Sequence, residues 1–451
     1  IQTSPRKRDR SEAAPLGRTG TFLIIYEEDL KMENELKVIA AKLKPEMIDF
    51  CQRLIRVPSL PGEEKDVADL YLSEMKKLGY NDVFRDEWGN VVGIINGDLP
   101  GPSIMFNGHL DHVDTGDLSE WEGYDPYGGK IDVCGMFNQD MSCTEETEVI
   151  HGRAAADVKG GGATMVYAGA ALLALKKQGY KLAGKLIFTM TVLEEPAEML
   201  GMLRLFDETF AQRGISPDVC VSCEATSLKL YLGHRGRVEI QVTVSGVTSH
   251  GSAPWLGVNA VNSSTKFIDR VEQVVEKEKS TDPELGKSSI ALTIISCTPG
   301  SMCIVPDRCH ITYDRRFTPD ETVESCINQI QRVINEISAE DKNFRAEVKI
   351  GAVMRTSYTG KSELMENKKE GWKLDKEHPV AQACAKALTQ AGQEVHFGYW
   401  DFGTDLPVAA VHHKIPSIGY SPMQEYYCHR PVDKVRIDYM EKALVGYVHI
   451  Y

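Results

Sequence analysis

No run of about 18 or more apolar residues occurs, so the chain lacks the stretch that a membrane-spanning helix needs. Positive charge is in deficit. Lys and Arg total 51 against 65 Asp and Glu, a formal net charge of -14, and that average field repels nucleic acid and anionic membranes. The cysteines number 11, an odd total, and several sit inside apolar runs such as 219–223. That pattern does not fit a disulfide framework in a chain with a sizeable core. The CxxC of Cys220 and Cys223 has no partner pair at the spacing of a structural zinc site. The thiols therefore read as reduced, and the expected location is cytoplasmic. Internal repeats and low-complexity linkers are absent too. The glycine run Gly160–Gly162 lacks the GxxxxGK[ST] spacing of a phosphate loop, although an anion site at the helix start stays open.

What is present is an ordinary globular balance, 42% hydrophobic and 26% charged, in 451 residues, a length comfortable for two domains. Residues 1–31 read as a disordered segment or an upstream extension, with a basic cluster at Arg6–Arg10 and a short apolar piece at Phe22–Tyr26. Helical periodicity then covers 32–54, and a second helix over 67–78 ends at Gly79. A hairpin is predicted over 82–96, and a short apolar strand over 103–106 runs into Gly108-His109-Leu110-Asp111. The stretch 130–150 reads as an extra polar loop. A strong helix over 163–177 follows the glycines, then buried strands over 185–192 and 217–222. Strands alternating with long helices predict an α/β domain with a mainly parallel sheet and helices on both faces.

The texture changes after about Gly233. Residues 238–244 alternate as a half-exposed antiparallel strand does. Helices over 258–277 and 323–337 and strands near 290–295, 309–313 and 346–350 complete a small α+β block. Helical pattern resumes over 379–390. The expected division is a first domain over 32–233, interrupted by an insertion over 234–353 and completed by 354–451.

Polar residues at the tips of the apolar runs carry the chemistry. Glu194-Glu195 closes a buried strand, and adjacent carboxylates repel unless a cation or proton lies between them. One can hold a metal while the other serves as general base; a solvated turn is the plainer reading. His109 and Asp111 point the same way on an extended strand end, and His112 and Asp114 nearby are equally able to serve. Asp157 lies between a strand and the glycine run, Glu224 follows a buried strand, and His429 sits near the C-terminus. Together His109, Asp157, Glu195, Glu224 and His429 supply two imidazoles and three carboxylates. That donor set suits two divalent ions, zinc first and cobalt or manganese next.

The order and surroundings of these motifs resemble the M20 metallopeptidases, the group of acetylornithine deacetylase, succinyl-diaminopimelate desuccinylase, aminoacylase and several di- and carboxypeptidases. The resemblance runs from about Lys37 to the C-terminus. It is carried by 108–111, 152–161, Glu194-Glu195, 222–224, 249–254, 314–317 and 428–431. It implies that His109 and Glu224 hold one metal and Glu195 and His429 the other, with Asp157 bridging. It makes Glu194 the general base and Asp111 the residue that orients His109. The inserted block becomes a lid and dimerisation domain, whose His250 reaches the partner's active site in a homodimer and stabilises the oxyanion. Arg316 would meet a substrate carboxylate, and Gly403 and Thr404 would line the substrate's backbone side. The implied substrate is a small N-acyl amino acid or short peptide; a carbamoyl amide, or a non-catalytic binding role on the same fold, is the alternative. Ala154 and Cys303 depart from the family pattern, and with Asp314-Arg315-Arg316 they look most like the branch labelled selenium-metabolism-linked hydrolases.

Overall fold

The computed structural model describes residues 17–138, 141–196 and 198–451, with side chains described from residue 31 onward. The expectation for residues 1–16 lies outside this range. The first helix, Gly17–Ile55, begins ahead of Met32.

Alternating burial along short apolar strands builds the larger sheet. Ile104 and Phe106 face one side with Leu186, Phe188 and Met190, while Met105, Ile187 and Cys220 face the other. Helices Gly17–Ile55, Lys65–Leu78, Gly160–Lys177 and Ile437–Ile450 contribute to the core on the first side. Residues 199–210 and 406–409 cover the second. Nine strands form this sheet. Its centre is parallel: Leu99–His109 lies between Ala183–Thr191 and Val219–Ser222, and Ser417–Gly419 continues beyond. The hairpin Asp82–Arg85/Val91–Asn96 closes one edge antiparallel. Parallel neighbours end on the same side, so the residues following 109, 191 and 222 converge along one rim.

Helix Gly160–Lys177, with the turn before it, is apolar enough to meet a membrane-span criterion, but 89% of that window is buried inside the protein. The glycine run forms its first turn and is packed rather than open. A Cβ on Gly161 would meet Met423 Cε at 2.5 Å, and one on Gly162 would meet the Tyr71 hydroxyl at 2.2 Å.

Residues 130–150 are not a loop. Ile131–Phe137 and Thr144–His151 pair as an antiparallel hairpin, and Lys434–Arg436 adds a third strand. The polar run Thr144–Glu148 is the solvent-facing part of the hairpin's second strand, not irregular backbone.

The inserted domain is a separate antiparallel sheet in the order Ser289–Thr298, Arg308–Phe317, Gly236–Ser245, Arg345–Ile350, with Lys368–Lys369 also paired to Gly236–Ser245. Val238, Ile240, Val242 and Val244 bury one face against Phe267 and Val271 of helix Ala260–Glu278 and Ile330 and Val333 of helix Val323–Glu340. Thr322 starts the latter helix with a capping box to Ser325.

Candidate metal centre

His109 is the last residue of its strand, Glu194 and Glu195 follow the neighbouring strand, and Glu224 follows the other neighbour. Asp157 reaches the same rim from the turn before Gly160–Lys177, and His429 from the segment after Glu425–Tyr427. The five donors come together. His109 Nε2 lies 3.1 Å from Asp157 Oδ1 and 3.5 Å from Glu224 Oε1. His429 Nε2 lies 3.0 Å from both Asp157 Oδ2 and Glu195 Oε2. Each histidine thus faces a different oxygen of Asp157. Donor atoms of His109, Asp157 and Glu195 all lie within 4.8 Å of one another, as do those of His109, Glu194 and Glu224.

The electrostatics of this cluster favour a cation. Burial and the Asp157 charge raise the pKa of Glu195, and burial raises that of Glu224 well above the usual carboxylate range. Burial acts the same way on Asp157, but its bonds to His109 and His429 outweigh it and lower its pKa. Bonds from Asp157 and Glu195 push His429 up to about 11. Burial opposes charge on His109, yet Asp157, Glu224 and Glu194 raise its pKa well above the ordinary value. Carboxylates so crowded need positive charge among them, and divalent ions meet that need with the oxygen and nitrogen donors present.

The supporting contacts resolve the ambiguities of the sequence. His109 Nδ1 donates to the backbone carbonyl of Asp111 at 3.0 Å, which leaves Nε2 free as a ligand. The Asp111 carboxylate lies 3.7 Å from that ring and instead accepts the backbone N–H groups of Glu194 (3.1 Å) and Glu195 (3.0 Å). It braces the glutamate pair more than the imidazole. His112 is buried away from the cluster: its Nε2 accepts from Ser59 N–H and its Nδ1 donates to the Val113 carbonyl, with burial pushing its pKa down to about 3. Asp114 caps an exposed turn at Gly116.

A cavity of about 680 Å³ opens onto the donors and is lined by residues of both domains, among them Arg237, Arg316, Lys369, Asp401, Phe402 and Gly403. Arg316 lies here, held by Asp314 at 2.7 Å. Thr404 does not line it. That residue is fully buried, and its hydroxyl and N–H both donate to His234 Nε2 at 3.1 Å. His250 is exposed on the inserted domain and does not line this cavity; its Nδ1 is engaged by Ser252.

Three functional neighbours escape sequence reasoning. Asp433 accepts the N–H groups of Ala154 (2.7 Å) and Ala156 (2.9 Å) and lies 3.4 Å from Arg153, fixing the turn that presents Asp157. Burial pushes its pKa up to about 7. Lys369, buried, bonds Glu194 Oε1 at 3.0 Å. Burial opposes its charge, but Glu194 and Asp405 raise its pKa. Asp405 receives the Thr191 hydroxyl at 3.2 Å, and burial pushes it up to about 7. Lys369 sits in the charged run Lys368-Lys369-Glu370, which reads as solvated surface, and nothing local marks Asp433.

Residues 232–342 match the peptidase dimerisation domain of the M20 family. The Escherichia coli K12 protein YgeY, itself uncharacterised, is 32% identical over 403 residues, 88% of this chain and 92% of its own length. Among solved structures, aminopeptidase PepT of Bacillus cereus superposes with a TM-score of 0.66 at 18% identity, covering 90% of this chain and 97% of that one. Bacillus subtilis YxeP, described as a dinuclear metal-binding peptidase of the M20 family, gives 0.65 at 13% identity, covering 91% and 98%. With the inserted domain, the convergent donor set and this near full-length relationship in view, the chain belongs to the M20 family of metallopeptidases, hydrolases that act on C–N bonds.

Proposed function

We propose that the chain hydrolyses the amide bond of a small N-acyl amino acid or short peptide. His109 and Glu224 would hold one divalent ion, Glu195 and His429 a second, and Asp157 both. The observation that carries this reading is the pair of imidazoles on opposite oxygens of Asp157. Two such ions, zinc first by donor type, would supply Lewis-acid activation of the scissile carbonyl and of the attacking water. Glu194 takes the proton from that water and hands it to the leaving amine. Arg316, already fixed by Asp314, meets a substrate carboxylate as a planar donor fork. Gly403 lines the cavity and would face the substrate's backbone side, whereas Thr404 acts from behind through His234.

His250 stands away from its own chain's cavity, which favours a homodimer in which it serves the partner's oxyanion. The terminal strand Ser289–Thr298 supports that arrangement: it ends the inserted sheet with Ile294 60% and Ile295 50% exposed.

Protein loaded with zinc, manganese or cobalt and offered N-acyl amino acids, dipeptides and carbamoyl amino acids tests the reading. Hydrolysis of the first two classes is expected; turnover of carbamoyl amides alone redirects it to a ureide-type hydrolase, and no turnover to a binding role. Glu194→Ala is expected to keep its ions and lose about 100-fold or more in kcat. Full activity in that variant contradicts the mechanism.

A further inference from the structure

The domains are joined by two strand crossings that run side by side. The first leads from Leu230–His234 of the larger sheet into Gly236–Ser245 of the inserted sheet. The second returns from Lys368–Lys369, paired with Val238 and Arg237, to Trp372–Lys373, paired with His234 and Gly233. Between them Gly236 and Gly371 lie face to face. A Cβ on Gly236 would meet the Gly371 nitrogen at 2.7 Å, and a Cβ on Gly371 would meet the Gly236 nitrogen at 2.7 Å. Two adjacent crossings at element ends are where a domain rotation is absorbed.

Lys369 is the last paired residue of the inserted sheet before the return crossing. Its side chain is 3% exposed and reaches into the larger domain, donating to Glu194 Oε1 at 3.0 Å and to the Gly403 carbonyl at 3.3 Å. Gly403 makes room for it: a Cβ there would meet Lys369 Cδ at 2.8 Å. A buried ion pair therefore links a hinge strand to the carboxylate beside the metal donors.

We propose that Lys369 is a positioning residue, whose bond sets the orientation of Glu194 and couples it to the seating of the inserted domain. Rotation about the Gly236–Gly371 crossing moves the ammonium directly. The Glu194 carboxylate then either follows or is left buried and unpaired, which is costly away from water. The base is aligned when the lid is seated and released when it turns. This rests on the reading of Glu194 as the base.

Lys369→Met keeps the stem and removes the ammonium; Lys369→Gln, which keeps a donor for Gly403, serves if the first variant fails to fold. Hydrogen exchange on the full-length, metal-free chain is expected to quicken by about tenfold in peptides covering 235–237 and 369–372, and not in 238–244. Unchanged exchange at the crossings overturns the coupling. In metal-loaded protein, kcat is expected to fall about tenfold or more with KM held within about twofold and metal content unchanged. A kcat retained within about twofold overturns the positioning role. The exchange experiment needs no turnover, so failure of the proposed function leaves it decisive.

Discussion

Asp433 does more for the metal centre than its distance along the chain from Asp157 suggests. Its two oxygens take the N–H groups on either side of Ala155, where Ala154 stands at φ 68°, and so hold a turn that would otherwise leave buried donors unpaired. Asp433→Ala is expected to weaken metal binding by about 10–100-fold, as loss of a supporting contact does, measured by competition with a chelator. Unaltered affinity would show that the turn holds itself. Residue type and position at strand ends marked His109, Glu194, Glu195 and Glu224 in the sequence. The same logic could not separate His109 from His112, because only the fold reveals that His112 is spent on Ser59 and Val113. Nor could it reject Thr404, whose bond to His234 spans 170 positions.

At the scale of elements, the parallel centre of the larger sheet makes the site. Three neighbouring strands end together, and each delivers a donor at its last residue (His109) or a few residues beyond it (Glu194, Glu195 and Glu224). Apolar runs with charged tips made that legible in advance. The hairpin of Ile131–Phe137 and Thr144–His151 was not, because the alternating Ile131 and Val133 point outward and the second strand opens on the polar run Thr144–Glu148. The glycine run was legible as a special place but for the wrong reason: it admits the core, not a ligand. Gly162→Ala would press a methyl onto the buried Tyr71 hydroxyl and is expected to destabilise by about 1–3 kcal/mol, seen as a lower denaturation midpoint without loss of metal affinity. A neutral effect would mean that Tyr71 has room to move.

For the whole molecule, the discontinuous architecture was readable from the change of strand texture after Gly233. The return crossing was not: the division expected between 353 and 354 falls short of Lys368–Lys369, whose pairing with Val238 and Arg237 of the inserted sheet is a long-range event. If the inserted domain joins two copies through Ser289–Thr298, Ile295→Asp is expected to give monomers in analytical ultracentrifugation. Activity should fall with dissociation, because His250 would then lack a second chain to serve. A fully active monomer would contradict the shared site. In the proposed centre Asp157 joins two ions held by four other side chains. Metal content per chain, measured by mass spectrometry after zinc loading and desalting, tests it most directly. Two ions are predicted for the native chain, one each for Glu224→Ala and Glu195→Ala, and none for Asp157→Ala. A native chain that binds one ion or none, or an Asp157→Ala variant that keeps both, would rule out a pair of ions joined by Asp157.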